Sequence, residues 1–552
     1  MRCDRHLPPD PRPQPVHQLP DITKFKDEWR SETKGIVLSS AERIMVKSMP
    51  GNAYRILAKD VRSYEFVIPY DEKADVGEIF TVEDRDMLFL ARVVNVQHDS
   101  NYDGRWDTSI RGTELYDEEQ IFNRVIAEPL GCIPRDQTKR RGAFRKAKTI
   151  PTKFSRVKRA EAEEFDFLKD TMGDIEVGVL RNGSRDTDVA VALHSSAMDH
   201  HMGIFATTGM GKSNFMKVFA ASCMKLASEN RSEFGLLIVD PHGEYLRGGK
   251  AGKGLLHLKP YLSSLKCYST DPRNHSLPEV SELTISRRDI LPEDIKVLHD
   301  WTGAQMDALE SIERIFDGES WIDEILDENG KAMLTEKAKV SEKTVDVLVR
   351  KLENILSRNK YIKSSGSSSI PGIIEGVKSG KVVLIDIPNL SESSELFLLS
   401  LISRRIMEDY RNEDEGRKKC MVVIEEAQRV LGSDSRIARF EEIAREGRKF
   451  GVGLCAITQQ PKLIDRELLS QFNTMVVMGL ADRNDRMRVE ESAKQDLSSL
   501  DVEIQTLEKG EAIISTLNVP FPIPAKIHRY EDYMERLRPS APERRSFRPT
   551  PD

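Results

Sequence analysis

Seven short runs beyond residue 200 are apolar almost throughout: MGIFAT, FGLLIVD, KVVLIDI, CMVVIEE, VGLCAIT, TMVVMGL and EAIIST. Between them lie longer stretches whose apolar residues recur every three or four positions. A strand covered on both faces has no polar side to show, whereas a helix laid on a sheet shows one apolar stripe, so this pattern predicts an α/β core with a parallel sheet between two helical layers. Between FGLLIVD and KVVLIDI the spacing stays helical through LPEDIKVLHDWTGAQMDALESIERIF and KTVDVLVRKLENILSR, which predicts a helical insertion, and the Ser-rich run SSGSSS at 364–369 returns it to the sheet.

Upstream the rhythm is different. GIVLSS, ERIMVKSM, YRILAKDV, YEFVIPY, GEIFTVED, MLFLARVVNVQH and FNRVIAEPLGCI are short β-type runs broken by turn residues, and they predict a small β-barrel. Such a barrel serves either nucleic-acid binding or plain docking, and no aromatic stacking face marks this one for the former. The expected layout is a flexible Pro-rich tail at 1–34, the barrel at 35–134 and a basic linker at 135–170. The first part of the core follows at 171–285, the insertion at 286–370, the second part of the core at 371–535 and a C-terminal tail at 536–552. The linker's run from Arg135 to Arg159 holds many Lys and Arg and one acid, Asp136, so it is either a phosphate-contacting path or a solvated connector.

Composition narrows the class. With 39% apolar and 31% charged residues, the chain can bury several cores. Its net charge of −7 gives no global attraction to nucleic acid, so any contact with DNA must be made by local basic surface. The six cysteines (Cys3, Cys132, Cys223, Cys267, Cys420 and Cys455) are scattered without a C-x-x-C pair, as expected for a reduced, cytoplasmic protein. No run approaches the roughly 20 apolar residues that span a bilayer, so no membrane insertion is expected.

The sharpest chemical signal is Ala206-Thr207-Thr208-Gly209-Met210-Gly211-Lys212-Ser213, placed between an apolar strand and the helix NFMKVFAASCMKLA. Small residues let successive backbone N–H groups turn inward onto phosphates, and the positive end of the helix stands behind them. Thr208, Gly209, Met210, Gly211, Lys212, Ser213 and Asn214 are the candidate ATP contacts. Lys212 is placed to reach the β- and γ-phosphates, and Ser213 to ligate Mg²⁺. Ala206 replaces the first glycine of the formal pattern, remote from the phosphates. A second strand ends in Glu425-Glu426, where the first carboxylate can hold Mg²⁺ through water and the second can act as base toward the attacking water. The alternative is a strand capped by solvated acids. Gln459, at the end of VGLCAIT, is a candidate γ-phosphate sensor or a loop anchor. Arg445 and Arg448, in REGRKFG, are candidate fingers across a subunit boundary, or else partners of Glu441, Glu442 and Glu446. Asp240-Pro241-His242-Gly243-Glu244-Tyr245 either supports the metal-water network or forms an ordinary turn. Together these motifs predict a RecA-like P-loop NTPase core carrying an N-terminal small β-barrel and a helical insertion.

In order and spacing, FATTGMGKSN, VDPHGEYL, VIEEAQ, IAREGRKFGVGL, TQQPKLIDRELLSQFNTMVV and KGEAII resemble the HerA family of DNA translocases and helicases, within the HerA/FtsK class of P-loop ATPases, over most of the chain. That resemblance implies an ATP- and Mg²⁺-dependent homo-hexamer on double-stranded DNA. It also implies a HAS-type barrel, a NurA-like nuclease partner in end resection and recombinational repair, and a C-terminal tail packed on a neighbouring subunit. Three positions depart from the family pattern: Glu425 stands where Asp is more usual, His200 where an arginine is expected, and Gln460 gives TQQP in place of TQRP. Two other readings remain open at this point. One is a HerA-like ring scaffolding a defence effector, and the other a peripheral secretion or conjugation ATPase.

Overall fold

The structure is a computed structural model that describes residues 54–100, 121–140, 142–249, 252–316, 320–364, 366–412, 416–432 and 438–538. The expected flexible tail, the runs GIVLSS and ERIMVKSM, and most of the C-terminal tail lie outside these residues. The chain divides into two compact units. Of the smaller one only 68–72, 98–100 and 121–123 are described. Within it the Asn123 amide donates to the carbonyls of Pro69, Tyr70 and Glu72, and its Oδ1 lies 2.7 Å from Nδ1 of His98.

Six strands, β1 (Tyr54–Lys59), β2 (Tyr64–Pro69), β3 (Ile79–Asp84), β4 (Met87–Ser100), β5 (Ile121–Pro134) and β6 (Arg156–Arg159), close a barrel in the order β1-β2-β5-β4-β3-β6. Alternation drives it. Along β2, Tyr64 and Phe66 are buried while Glu65 and Val67 are less so, and Phe66 packs 5.0 Å from Phe80. The closing strand comes from the stretch expected as a basic linker. Val157, its one apolar side chain, pairs in register with Tyr54 on one side and Val82 on the other. Three cations around one valine carry no readable period, so only the open edges of β1 and β3 specify this strand. Much of the expected basic path is engaged locally: Arg140 donates to the carbonyls of Arg135 and Glu163, Lys158 pairs with Glu164 at 2.9 Å, and Arg159 pairs with Glu78. Arg145, Lys146 and Lys148 stay exposed.

The second sheet has twelve strands. Its first part holds β7 (Ile175–Asn182), β8 (Arg185–Leu193), β9 (Met202–Phe205), β10 (Phe234–Asp240), β11 (Leu265–Ser269) and β12 (Val280–Glu282). A short parallel pair outside the sheet, β13 (Ile285–Ser286) with β14 (Ile362–Lys363), closes the root of the insertion. Then come β15 (Val382–Asp386), β16 (Lys419–Ile424), β17 (Val452–Thr458), β18 (Thr474–Val477), β19 (Glu511–Thr516) and β20 (Ile523–Ile527). The order is β12-β11-β15-β10-β16-β17-β9-β18-β19-β20-β7-β8. All seven runs read from the sequence form strands in it. From β12 to β18 the strands are parallel, so the carboxyl ends of β10, β16, β17 and β9 meet along one edge. In open α/β sheets that edge is where ligands sit.

The sheet separates two cores. Along β10, Leu236 and Ile238 face one, and Leu237 and Val239 the other. The helix α1 (Lys212–Ser228) covers the first face. The insertion α2 (Gly303–Ile315), α3 (Trp321–Leu326), α4 (Glu328–Ala338) and α5 (Glu342–Arg358) joins the second core. Val345, Leu348, Val349, Leu352 and Ile355 form the one buried stripe of α5. After α6 (Ile370–Lys378) and β15, α7 (Glu392–Arg411) anchors the insertion through buried Arg404, paired with Asp294 at 2.7 Å. Barrel and core are joined by Asn182, whose side chain accepts from the backbone of Ile79 at 2.6 Å and donates to Ala160 at 2.9 Å.

Candidate nucleotide-hydrolysis site

Buried β9 delivers the chain to the carboxyl edge, where Thr207, Thr208 and Gly209 emerge into solvent before α1 begins at Lys212. Gly209 and Gly211 take φ of 86° and 112°, a region closed to most side chains. Ala206 is fully buried below the loop, so its methyl group meets the core and not the phosphate side. Thr207 fastens the loop to the next strand, donating from both its backbone N–H (3.0 Å) and its hydroxyl (2.8 Å) to the Gly479 carbonyl. Nζ of Lys212 folds back onto the Ala206 carbonyl at 3.0 Å. Burial holds the Lys212 ammonium below its ordinary value, against the opposing pull of Glu426, Glu425 and Glu244.

β16 ends at Ile424 and sets Glu425 and Glu426 beside the loop. Glu425 accepts the hydroxyl of Tyr245, whose own N–H is held by Asp240 at 2.8 Å. Asp240 also accepts from the N–H groups of His242 and Glu244, so the DPHGEY turn acts as a bracket. Burial pushes Glu425 up to about 7 although the Tyr245 hydrogen bond opposes it, and pushes Asp240 up to about 6. Glu426 adopts φ 47°, rare for a residue with a side chain. One of its oxygens accepts from Gln459 at 3.3 Å and the other from Gln428 at 2.8 Å, while Gln459 in turn accepts the Thr208 hydroxyl.

The structure therefore brings Thr208, Lys212, Glu425, Glu426 and Gln459 to one edge. Asn214 is placed otherwise. Its amide donates to the His528 carbonyl at 2.8 Å and accepts from the Tyr530 N–H at 2.9 Å, fastening α1 to the C-terminal helix Tyr530–Arg536. Ser213 lies in the first turn of α1, and Met210 packs beside Gly479. Among the described residues no group of three or more His, Cys, Asp or Glu is arranged to hold a metal. Ser213 and Glu425 each offer a hard oxygen of the kind Mg²⁺ takes, an ion that keeps its waters and leans on substrate phosphates.

Arg445 and Arg448 stand at the other edge, just before β17. The seven residues of β17 span about 20 Å, at about 3.3 Å per residue, between these arginines and the edge that carries the loop. Both are exposed; Arg445 lies 3.6 Å from Glu467, and neither meets the expected acidic network of Glu441, Glu442 and Glu446 in a described ion pair. His200 shares this edge. Burial holds it below the ordinary histidine value, with Arg448 and Lys419 adding to that effect against Asp199. The Gln460 side chain is exposed. Gln428 and Thr458 are site residues that sequence patterns did not single out, and Tyr245 was read only as the last residue of its turn.

Residues 175–406 match the family described as Helicase HerA, central domain. The DNA double-strand break repair helicase HerA of Saccharolobus solfataricus is 32% identical over 384 residues, covering 67% of this chain and 72% of that protein. The chain belongs to the HerA family. The DNA double-strand break repair helicase HerA of Sulfurisphaera tokodaii is 28% identical over 492 residues, covering 86% of this chain and 90% of its own. The solved structure of VirB4 of Thermoanaerobacter pseudethanolicus is a distant likeness: it is 15% identical and covers 65% of this chain and 98% of that one at a TM-score of 0.44. Among the described residues no helix is long and apolar enough to cross a membrane.

Proposed function

We propose that this HerA-family chain is an ATP-hydrolysing DNA translocase or helicase of DNA double-strand break repair, working as a homo-hexameric ring on double-stranded DNA and feeding DNA ends to a NurA-like nuclease. The observation that carries the reading is the meeting of Lys212, Glu425, Glu426 and Gln459 at one sheet edge while Arg445 and Arg448 occupy the opposite edge. A P-loop enzyme needs cations on the γ-phosphate in the transition state, and cations so far from their own loop serve that need only on a neighbour.

Within one subunit, the loop N–H groups and Lys212 bind the phosphates. Mg²⁺, held by Ser213 and through water by Glu425, would neutralise charge on the β- and γ-phosphate oxygens. Glu426 takes the proton of the attacking water, and Gln459 senses whether a γ-phosphate is present. Exposed Arg145, Lys146 and Lys148 are the nearest remnant of the expected DNA path. The domain limits drawn from the sequence are kept, except that the barrel extends to Arg159.

The test is steady-state ATP hydrolysis with and without linear duplex DNA, for the wild-type chain and Glu426→Gln. A DNA-stimulated rate that falls by a factor of about 100 or more in the variant is expected. Hydrolysis retained in Glu426→Gln sinks the base assignment, and wild-type hydrolysis indifferent to DNA sinks the translocase.

A further inference from the structure

Glu426 is bound by two side-chain amides that are anchored very differently. Gln459 reaches one carboxylate oxygen, Oε1, at 3.3 Å, and its own carbonyl accepts the hydroxyl of Thr208, an exposed residue of the phosphate loop. Gln428 reaches the other oxygen, Oε2, at 2.8 Å. Its carbonyl accepts the hydroxyl of Thr458 at 2.6 Å, and Thr458 is 1% exposed at the end of β17, where its hydroxyl also accepts the Gln460 N–H at 3.0 Å. The first contact depends on a segment that nucleotide must touch; the second rests on the buried end of a central strand. Glu426 also holds φ 47°, a conformation that persists at functional sites only where surrounding contacts over-determine it.

We propose that Gln428 is a positioning residue for ATP hydrolysis, fixing Oε2 of Glu426 so that Oε1 is the oxygen presented to the attacking water. The inference rests on the hydrolytic reading above and adds a residue to it. When nucleotide engages the loop, Thr208 and Gln459 shift and release Oε1, while the Gln428–Thr458 anchor stays. The water then loses its proton to Oε1, its oxygen bonds to the γ-phosphorus, and the bond from that phosphorus to the β,γ-bridging oxygen breaks with its electron pair leaving on ADP. An amide suits the anchoring role because it donates at every physiological pH, and its opposite end can be locked by a hydroxyl.

The test is a kcat and KM comparison for ATP among wild type, Gln428→Met, Thr458→Val, Glu426→Gln and the Glu426→Gln, Gln428→Met double variant. Methionine keeps the length of the side chain and removes the donor. Losing one hydrogen bond to a charged group is expected to lower kcat about 10- to 100-fold with KM within about twofold. Thr458→Val lowers kcat in the same direction by about 3- to 10-fold, and it carries the test if Gln428→Met does not fold. In the Glu426→Gln background Gln428→Met adds no further loss, because the group it positions is gone. A kcat within twofold of wild type in both Gln428→Met and Thr458→Val, a KM rising in step with the loss of kcat, or an equal loss in both backgrounds overturns the inference alone. A wild-type chain that does not hydrolyse ATP, or a Glu426→Gln that hydrolyses at the wild-type rate, overturns the hydrolytic reading beneath it.

Discussion

Tyr245 donates its phenolic hydroxyl to Glu425 across 180 residues of sequence, and the same tyrosine is fixed by its backbone N–H on Asp240. A donor on a carboxylate favours the ionised form, so this contact keeps Glu425 available to a cation against the burial that pushes it up to about 7. Tyr245→Phe leaves the buried ring in place and removes only the donor. The Mg²⁺ concentration for half-maximal ATP hydrolysis at pH 7 is expected to rise about 10-fold, as with other partners that orient a metal ligand. An unchanged Mg²⁺ requirement counts against Glu425 as the carboxylate on the metal side.

The same carboxyl makes the ligand-free protein sensitive to pH in a defined direction. Glu425 rises from 4.5 to about 7 on folding because burial disfavours its charge. Between those values the folded state binds a proton that the unfolded chain has lost, so stability falls as pH rises through the window. The full cost, on the order of 3 kcal/mol, is present above pH 7 and absent below 4.5. Glu425→Gln, which cannot ionise, is expected to melt above wild type at pH 8 and close to it at pH 4.5. Calorimetry without nucleotide or metal reads this directly, and a variant less stable than wild type at pH 8 contradicts it.

Asn214 separates two roles that one position in a motif can hide. Its amide is engaged on both ends by the backbone at His528 and Tyr530. Asn214→Ala is therefore expected to destabilise the fold by about 1–3 kcal/mol, the cost of leaving partly buried partners unmatched. ATP affinity should fall much less than in Lys212→Ala. Chemical denaturation and nucleotide titration of the two variants check this, and an affinity loss equal to that of Lys212→Ala returns Asn214 to the nucleotide.

The motor was legible because its strands are uninterrupted apolar runs and its loop residues are contiguous, so Gly209, Gly211, Lys212 and the Glu425-Glu426 pair could be read in place. β6 was not legible, since Arg156, Lys158 and Arg159 mask the single buried Val157 and only tertiary pairing makes them a strand. β7 was also missed, although Ile175 and Val177 are buried, because Gly178, Arg181 and Asn182 break the period. The hydrogen-bond partners in the site were hidden for another reason. Gln428 and Thr458 are 30 positions apart, and only the parallel pairing of β16 with β17 brings them together.

The distance of Arg448 from its own phosphate loop has a consequence that separates a ring from an independent subunit. Arg448 precedes β17, and Glu426 follows the neighbouring β16 at the opposite edge. If neighbours complete each other's sites, Arg448→Ala spoils the site beside it and Glu426→Gln spoils its own. Arg448→Ala alone is expected to lose about 10³-fold or more in kcat, the usual contribution of an arginine finger, and Glu426→Gln alone about 100-fold or more. Mixed together and allowed to exchange subunits, the two restore some interfaces in which a wild-type Glu426 meets a wild-type Arg448. Activity near a quarter of wild type, the random-pairing fraction for an equal mixture, is then expected. The Arg445→Ala mixture discriminates between the two arginines, because Arg445 already lies 3.6 Å from Glu467 of its own chain. Recovery with Arg448→Ala and a single-variant loss below tenfold for Arg445→Ala assigns the finger to Arg448. No recovery in either mixture, with both variants folded and assembled, removes the trans-acting edge and leaves each subunit to hydrolyse alone.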